Sequence, residues 1–277
     1  MTRKLGTVAA LSVELLAIAD RTCPAILREL GKPIYMAILR AFKNFVRGYA
    51  PRSLLEWRQR RSTAQFATMS PQDVFRDFYR TNTWGDRESV SGPGSTMEAT
   101  AIARKLITEV VQKLNCKVFH DIPCGDFHWM QHVDFGACRY IGSDIVPELV
   151  ESNNARYASA NREFAVRNLI SDSLPAADVV LVRDCFIHLS FNDGFAALRS
   201  IKASGSVYLL TNTYPDHQKN YDTNTGGARP VNFALPPFGF PEPLKFVTET
   251  VTLDPLAAPG KTLVLYRIAQ LPDAPRA

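Results

Sequence analysis

The fold is decided between residues 117 and 211, where Lys117–Ile122 (KVFHDI), Tyr140–Ser143 (YIGS), Phe164–Val166 (FAV), Asp178–Val182 (DVVLV) and Val207–Thr211 (VYLLT) recur as short apolar runs. Each is too short for a helix, and all but the first residue of DVVLV are apolar, as in a strand buried on both faces. Between them, Pro147–Ala158 and Asn192–Ala203 carry helical spacing, the latter with Phe195, Leu198 and Ile201 on one side, and Phe127–Val133 reads as a helical turn. Strand and helix in alternation predict a parallel sheet covered on both faces. Upstream, Ser70–Tyr79 reads as a helix with Ser70 as N-cap and Pro71 at its first position, and Thr96–Leu114 as another. Downstream, Tyr214–Pro243 is proline-rich and aperiodic. Lys245–Leu253 and Lys261–Ala269 then read as two antiparallel strands joined by a Pro-Gly turn. The expected architecture is α/β, a Rossmann-like, mostly parallel sheet ending in an antiparallel hairpin, with a helical N-terminal extension.

That extension carries the charge. The chain has 277 residues and a net charge of +5, but residues 1–61 hold 12 Lys or Arg against 4 Asp or Glu. The remainder is therefore slightly acidic. Residues 25–50 form an amphipathic pattern, with Ile34, Ile38, Phe42, Phe45 and Tyr49 on one stripe and Arg40, Lys43 and Arg47 opposite. The arm, set at residues 1–69, either pads one flank of the domain 70–277 or contacts an anionic membrane surface. No run reaches the roughly 18 uninterrupted apolar residues of a membrane span. Val8–Ala19 imitates a secretion signal, but Glu14 interrupts it and Ala19-Asp20-Arg21 is a poor cleavage context. Five cysteines, an odd number without Cys-x-x-Cys pairs, read as reduced thiols of a cytoplasmic protein rather than a disulfide framework or zinc module.

Open parallel sheets bind ligands beyond the C-terminal ends of their strands, so the residues at those ends form one list. The first strand ends in Asp121-Ile-Pro-Cys124-Gly125-Asp126, the second in Gly142-Ser143-Asp144-Ile145, the third in Arg167-Asn168-Leu169, the fourth in Arg183-Asp184 and the fifth in Thr211-Asn212. Gly125 admits a close backbone approach, Asp144 is placed to accept from two ribose hydroxyls, and Asn168 to bond an adenine edge. A nicotinamide dinucleotide would need the three-glycine fingerprint, whereas here Gly125 is followed by Asp126, which repels a pyrophosphate. A nucleoside carrying a sulfonium and an ammonium instead suits Asp121 and Asp126.

The segments Asp121–Asp126 with Trp129 (DIPCGDFHW), Tyr140–Ile145 (YIGSDI), Arg183–Leu189 (RDCFIHL), Trp84-Gly85 and Ser91–Ser95 (SGPGS) together resemble a bacterial group of class I S-adenosylmethionine-dependent methyltransferases, over about residues 75–271. The resemblance implies a seven-stranded sheet with an antiparallel edge and S-adenosyl-L-methionine as cofactor. It implies donor contacts from Asp121, Cys124, Gly125, Asp126, Trp129 and Arg183, a ribose held by Asp144 beside Ile145, and an adenine bordered by Asn168 and Leu169. Phe127 and His128 depart from the glycines common in the wider superfamily, and Asn168 stands where an acid is more usual.

His188, just beyond the fourth strand, is the candidate general base for an acceptor hydroxyl; Asp184 is the competing base or the group that fixes the histidine tautomer. Each residue has a bland counterpart. Asp144 also suits a helix cap, Cys124 is small enough for a tight loop and lacks a partner base, and Trp129 fits a core as well as a pocket wall. Acceptor recognition is expected from Thr81–Ser95 and Tyr214–Pro243, whose Asn220, Asn232 and Arg229 among aromatic rings suit a small-molecule or saccharide-like acceptor, though a packed lid has the same composition. The reading is an O-methyltransferase, with no cluster of carboxylates beyond the strand ends that would propose a metal. A nucleic-acid or protein methyltransferase is the alternative, disfavoured because Arg183–Phe186 lacks the Asn/Asp-Pro-Pro-aromatic pattern of base-amine methylation. A non-catalytic Rossmann-like binding module is the other.

Overall fold

The computed structural model describes residues 52–249, 260–273 and 275. The chain divides into two compact units, Met1–Arg58 and Gln59–Ala277. The expected helices within residues 1–50, their basic face and any membrane contact lie outside the described residues, as does Cys23. Helix α1 (Arg52–Ser62) is followed by α2 (Pro71–Thr81), α3 (Ala101–Lys113), α4 (Pro147–Tyr157) and α5 (Phe191–Ala203). No helix among the described residues is long and apolar enough to cross a membrane.

Seven strands form one sheet: β1 (Val118–Asp121), β2 (Arg139–Asp144), β3 (Arg162–Val166), β4 (Val179–Val182), β5 (Tyr208–Thr213), β6 (Lys245–Thr248) and β7 (Thr262–Arg267). Their order is β3-β2-β1-β4-β5-β7-β6. The first five are parallel, and β7 runs antiparallel to both β5 and β6. The Rossmann-like sheet with an antiparallel C-terminal pair is therefore as expected, with β7 inserted between β5 and β6.

Strand periodicity explains why both faces are covered. Val179 and Leu181 of β4 point into one core with Leu106, Ile107 and Val110 of α3. Val180 and Val182 point into the other with Phe195, Leu198 and Ile201 of α5. A side-chain period of two on an apolar strand needs helices on both sides, which is what α3 and α5 supply. Ser70 caps α2 through its hydroxyl, which accepts from the Asp73 amide at 3.1 Å.

Strict alternation breaks down twice. Phe127–Val133 contributes only a 3-10 turn, Met130–His132, and residues 167–178 between β3 and β4 hold no helix. Helix α3 also starts at Ala101 rather than Thr96, because the Thr96 hydroxyl accepts from the Ala99 amide and holds a separate turn. Residues 59–69, placed with the arm by composition, belong to the compact unit that begins at Gln59; there Asn224 donates to the carbonyl of Thr63 at 3.1 Å.

Candidate functional site

The strand order reverses direction at β1, with β2 and β3 on one side and β4 and β5 on the other. This switch point is where a parallel sheet opens a crevice above its C-terminal ends. Beyond β1 the chain passes through Pro123 and returns to β2, the Cys124 amide donating to the carbonyl of Ser143 at 2.8 Å. Gly125 follows with φ +55. A Cβ there would fall 2.2 Å from the hydroxyl of Ser91, so glycine is required by both conformation and space.

The Gly125 amide donates to Asp144 Oδ2 at 3.0 Å, and the Val146 amide donates to Asp144 Oδ1 at 3.0 Å. Asp144 thus joins the first loop to the chain just before α4, whose N-cap is Val146 without a side-chain cap, so the expected helix cap is not formed. Burial pushes its carboxyl up to about 6 against the pull of these amides. Asp121, also buried, accepts from the Tyr140 hydroxyl at 2.7 Å. Burial pushes Asp121 up to about 7, and the neighbouring charge of Asp144 adds to the effect. Two buried carboxylates therefore converge beside a glycine loop, both less stable as anions than free side chains.

Asp126 has a task beyond the one its charge suggests. Its Oδ2 accepts from the Ser89 hydroxyl at 2.8 Å and the Val90 amide at 3.1 Å, and its own amide donates to Ser91 at 3.2 Å. It buckles the loop 86–95 onto the strand ends. Farther along the same loop, a Cβ on Gly94 would lie 3.1 Å from Asp184 Oδ2. The loop therefore reaches from the end of β1 to the end of β4. Cys124 is buried, with its thiol pushed up by desolvation, which removes it as a nucleophile.

Beyond β3, Asn168 closes a turn: its Oδ1 accepts from the Ile170 amide at 2.9 Å and its amide donates to Asp172 at 2.9 Å. Its side-chain NH2 and the second lone pair of Oδ1 remain for a ligand. Leu169 is buried beside it, and Ile145 is half-buried after Asp144.

Beyond β4 lies a charge cluster that the sequence list contains only in part. Arg183 donates through Nε to Glu249 at 3.1 Å and pairs through Nη1 with Asp184 at 3.0 Å. Lys261 pairs with both Asp184 and Glu249, at 2.5 and 3.5 Å. Arg183 also lies over the Trp129 ring at 5.2 Å, so Trp129 is at once core and a support for the site. The Arg183 Nη2 group is buried and has no hydrogen-bond partner among the described residues. Burial alone would raise the Asp184 carboxyl, but Lys261 and Arg183 outweigh it and hold the group below its ordinary value. An anion held this firmly is a poor base.

His188 sits in the 3-10 turn Phe186–His188, between Phe75 at 6.5 Å and Trp84 at 5.9 Å between ring centroids. Its Nδ1 lies 2.8 Å from the carbonyl of Gly227. A carbonyl only accepts, so Nδ1 carries the proton and Nε2 keeps a lone pair. The tautomer is fixed by Gly227, not by Asp184. Burial also lowers the pKa of His188, which keeps the ring neutral.

Several polar side chains of Tyr214–Pro243 bind backbone carbonyls rather than facing a cleft. Asn220 donates to the carbonyls of Asn232 and Pro236 at 2.8 and 3.0 Å, and Asn232 to those of Pro215 and His217 at 3.1 and 2.8 Å. Arg229 donates to Tyr221 and Phe186 carbonyls at 2.7 and 3.0 Å. These amides are committed to packing the segment, so they carry no argument for a saccharide. Among the described residues no cluster of metal-binding side chains occurs.

No protein-family model and no curated protein matches the chain. Among solved structures it is similar to the magnesium protoporphyrin IX methyltransferase of Synechocystis PCC 6803 with bound SAH, at 12% identity over 70% of this chain and 98% of that one, TM-score 0.47. It is also similar to an O-methyltransferase family protein from Burkholderia thailandensis, at 15% identity over 61% of this chain and 57% of that one, TM-score 0.40.

Proposed function

We propose that the chain is an S-adenosylmethionine-dependent methyltransferase acting on an oxygen of a small hydroxylated acceptor. The observation that carries the reading is the pair Asp121 and Asp144, buried together at the switch point of a sheet ordered β3-β2-β1-β4-β5-β7-β6. Buried carboxylates pushed up by desolvation are relieved by a cation. The donor fits on three counts, although three backbone amides already bear on the Asp144 carboxylate. Asp121 suits its ammonium, Asp144 suits two ribose hydroxyls, and the unpartnered Nη2 of Arg183 suits its carboxylate. When bound, S-adenosylmethionine supplies a methyl group already activated by a sulfonium.

The chain's own contribution is alignment and one proton. Loop 86–95, buckled by Asp126, covers the strand ends and limits the access of water. Trp84 and Phe75 flank His188 and give an acceptor apolar surfaces to lie against. His188 Nε2 takes the proton of the acceptor hydroxyl, because Gly227 has fixed the proton of the ring on Nδ1. Alignment supplies most of the rate, as proximity alone is worth several kcal/mol, roughly 7 in favourable cases.

The test uses S-adenosylmethionine labelled in its methyl group against a panel of phenols, sugars and small alcohols. Label in a product of one hydroxylated class, with a stoichiometric yield of demethylated donor, supports the reading. Donor that binds without label transfer to any hydroxyl, while a peptide or an oligonucleotide is labelled, would replace the acceptor class.

A further inference from the structure

The two cysteines that precede β1 and β2 face one another. Cys116 stands two residues before Val118 and Cys138 one residue before Arg139, the first paired positions of these parallel strands. Their sulfurs are 3.4 Å apart and both side chains are buried, at 6% and 4% exposure. Side-chain rotation over roughly 1.4 Å would bring the sulfurs to bonding distance, about 2.05 Å.

We propose that Cys116 and Cys138 are a site of reversible oxidation, forming an intramolecular disulfide that closes the segment carrying Asp121, Gly125 and Trp129. The reasoning is independent of the methyltransferase reading. Cys124 and Cys185 have no other sulfur as a partner among the described residues, so the pairing is specific. Access comes from the flanks: Asn115, Lys117, Ala137 and Arg139 are all exposed, so a local opening at the foot of the two strands suffices. With glutathione disulfide as oxidant, the thiolate of one cysteine attacks a sulfur of glutathione disulfide and releases one glutathione thiolate. The second cysteine thiolate then attacks the protein-bound sulfur and releases the other. Two electrons pass from the cysteines to the oxidant, and the two protons they lose end on two glutathione thiols.

The cross-link would tie the two strand feet whose opposite ends carry Asp121 and Asp144. It adds a covalent constraint to the loop without touching any group at the strand ends.

The experiment equilibrates the full folded chain in glutathione buffers of increasing oxidation, quenches with acid, alkylates free thiols, weighs the protein and its non-reduced tryptic peptides, and fragments the linked pair to tell Cys138 from Cys124 within Val118–Arg139. The five thiols of the chain should fall to three, with peptide Leu114–Lys117 linked through Cys116 to Cys138 in Val118–Arg139, and dithiothreitol should restore five. Cys116→Ser and Cys138→Ser should each keep all remaining thiols, whereas Cys124→Ser should still lose two. Five thiols persisting at every buffer ratio, a glutathione adduct in place of a link, or a link to Cys124 or Cys185 would overturn the proposal.

Discussion

Asp121→Asn separates the energetic cost of the site from its use. In the folded chain burial raises the Asp121 carboxyl to about 7, against an ordinary value of 3.8. A carboxyl raised on folding contributes its full stability below its unfolded value, loses it as pH climbs through the folded value, and is a constant burden above it. At pH 8 that burden is about 4 kcal/mol, from the gap between about 7 and 3.8 at about 1.4 kcal/mol per pH unit. Asparagine is nearly isosteric and its carbonyl still accepts from Tyr140, though more weakly than a carboxylate, by about 1 kcal/mol. The net expectation is a gain of about 2–3 kcal/mol at pH 8, which for a chain of this size is a rise in Tm of roughly 5–10 °C. At pH 5 the wild-type group is protonated in the folded state, and the gain should shrink to about 1 kcal/mol or less. Thermal unfolding of both proteins at pH 5 and pH 8 measures the difference. A variant that melts lower than wild type at both pH values, by the same amount, would refute the argument that Asp121 is held as a strained anion.

Other residues lead to equally direct expectations. His188→Gln should lower turnover by about 10²–10⁴-fold with little change in donor affinity, and the wild-type rate should rise with pH to a plateau reached below the ordinary histidine range, since burial lowers His188. Gly125→Ala places a Cβ 2.2 Å from Ser91 at a left-handed φ of +55 and should cost about 1–3 kcal/mol in chemical unfolding; adding Ser91→Gly should recover the steric part and leave the conformational part. Lys261→Met leaves Asp184 and Glu249 with one buried cation between them and should destabilise the chain by about 3–5 kcal/mol in urea melts. Donor affinity should strengthen as pH rises from 5 to 8, because a cationic ligand favours ionised Asp121 and Asp144; calorimetry in buffers of different ionisation heat should detect proton release near pH 6–7.

Much of the fold was legible because it rests on local pattern. The four consecutive apolar residues of β4 are readable as a doubly buried strand from type alone, and Ser70-Pro71 as a helix start. Asp144 was legible for the same reason: a carboxylate closing one strand lies, by topology, beside the loop closing its neighbour. What the sequence withheld depends on pairing at long range. Lys261 is 77 residues from Asp184, and nothing near either position announces the ion pair. The Gly227 carbonyl that fixes His188 is a backbone atom 39 residues away, with no side chain to mark it. The loop contacts of Asp126 were not legible either, because charge alone does not tell that a carboxylate binds a hydroxyl and an amide 37 and 36 residues upstream. Asn220 and Asn232 misled: a segment without regular structure must satisfy its carbonyls somehow, and these amides do so. Asn168 spends one acceptor lone pair on a local turn, a habit of the residue that any binding role has to share.

In the proposed methyl-donor site Asp144, held between Gly125 and Val146, binds the ribose. Calorimetric titration of the wild-type chain and of Asp144→Ala with S-adenosylmethionine and its demethylated product tests it most directly. Micromolar binding of both nucleosides to the wild type, lost in the folded variant, is the predicted result. A folded wild-type chain that binds neither, or a variant that binds both as tightly, would contradict it.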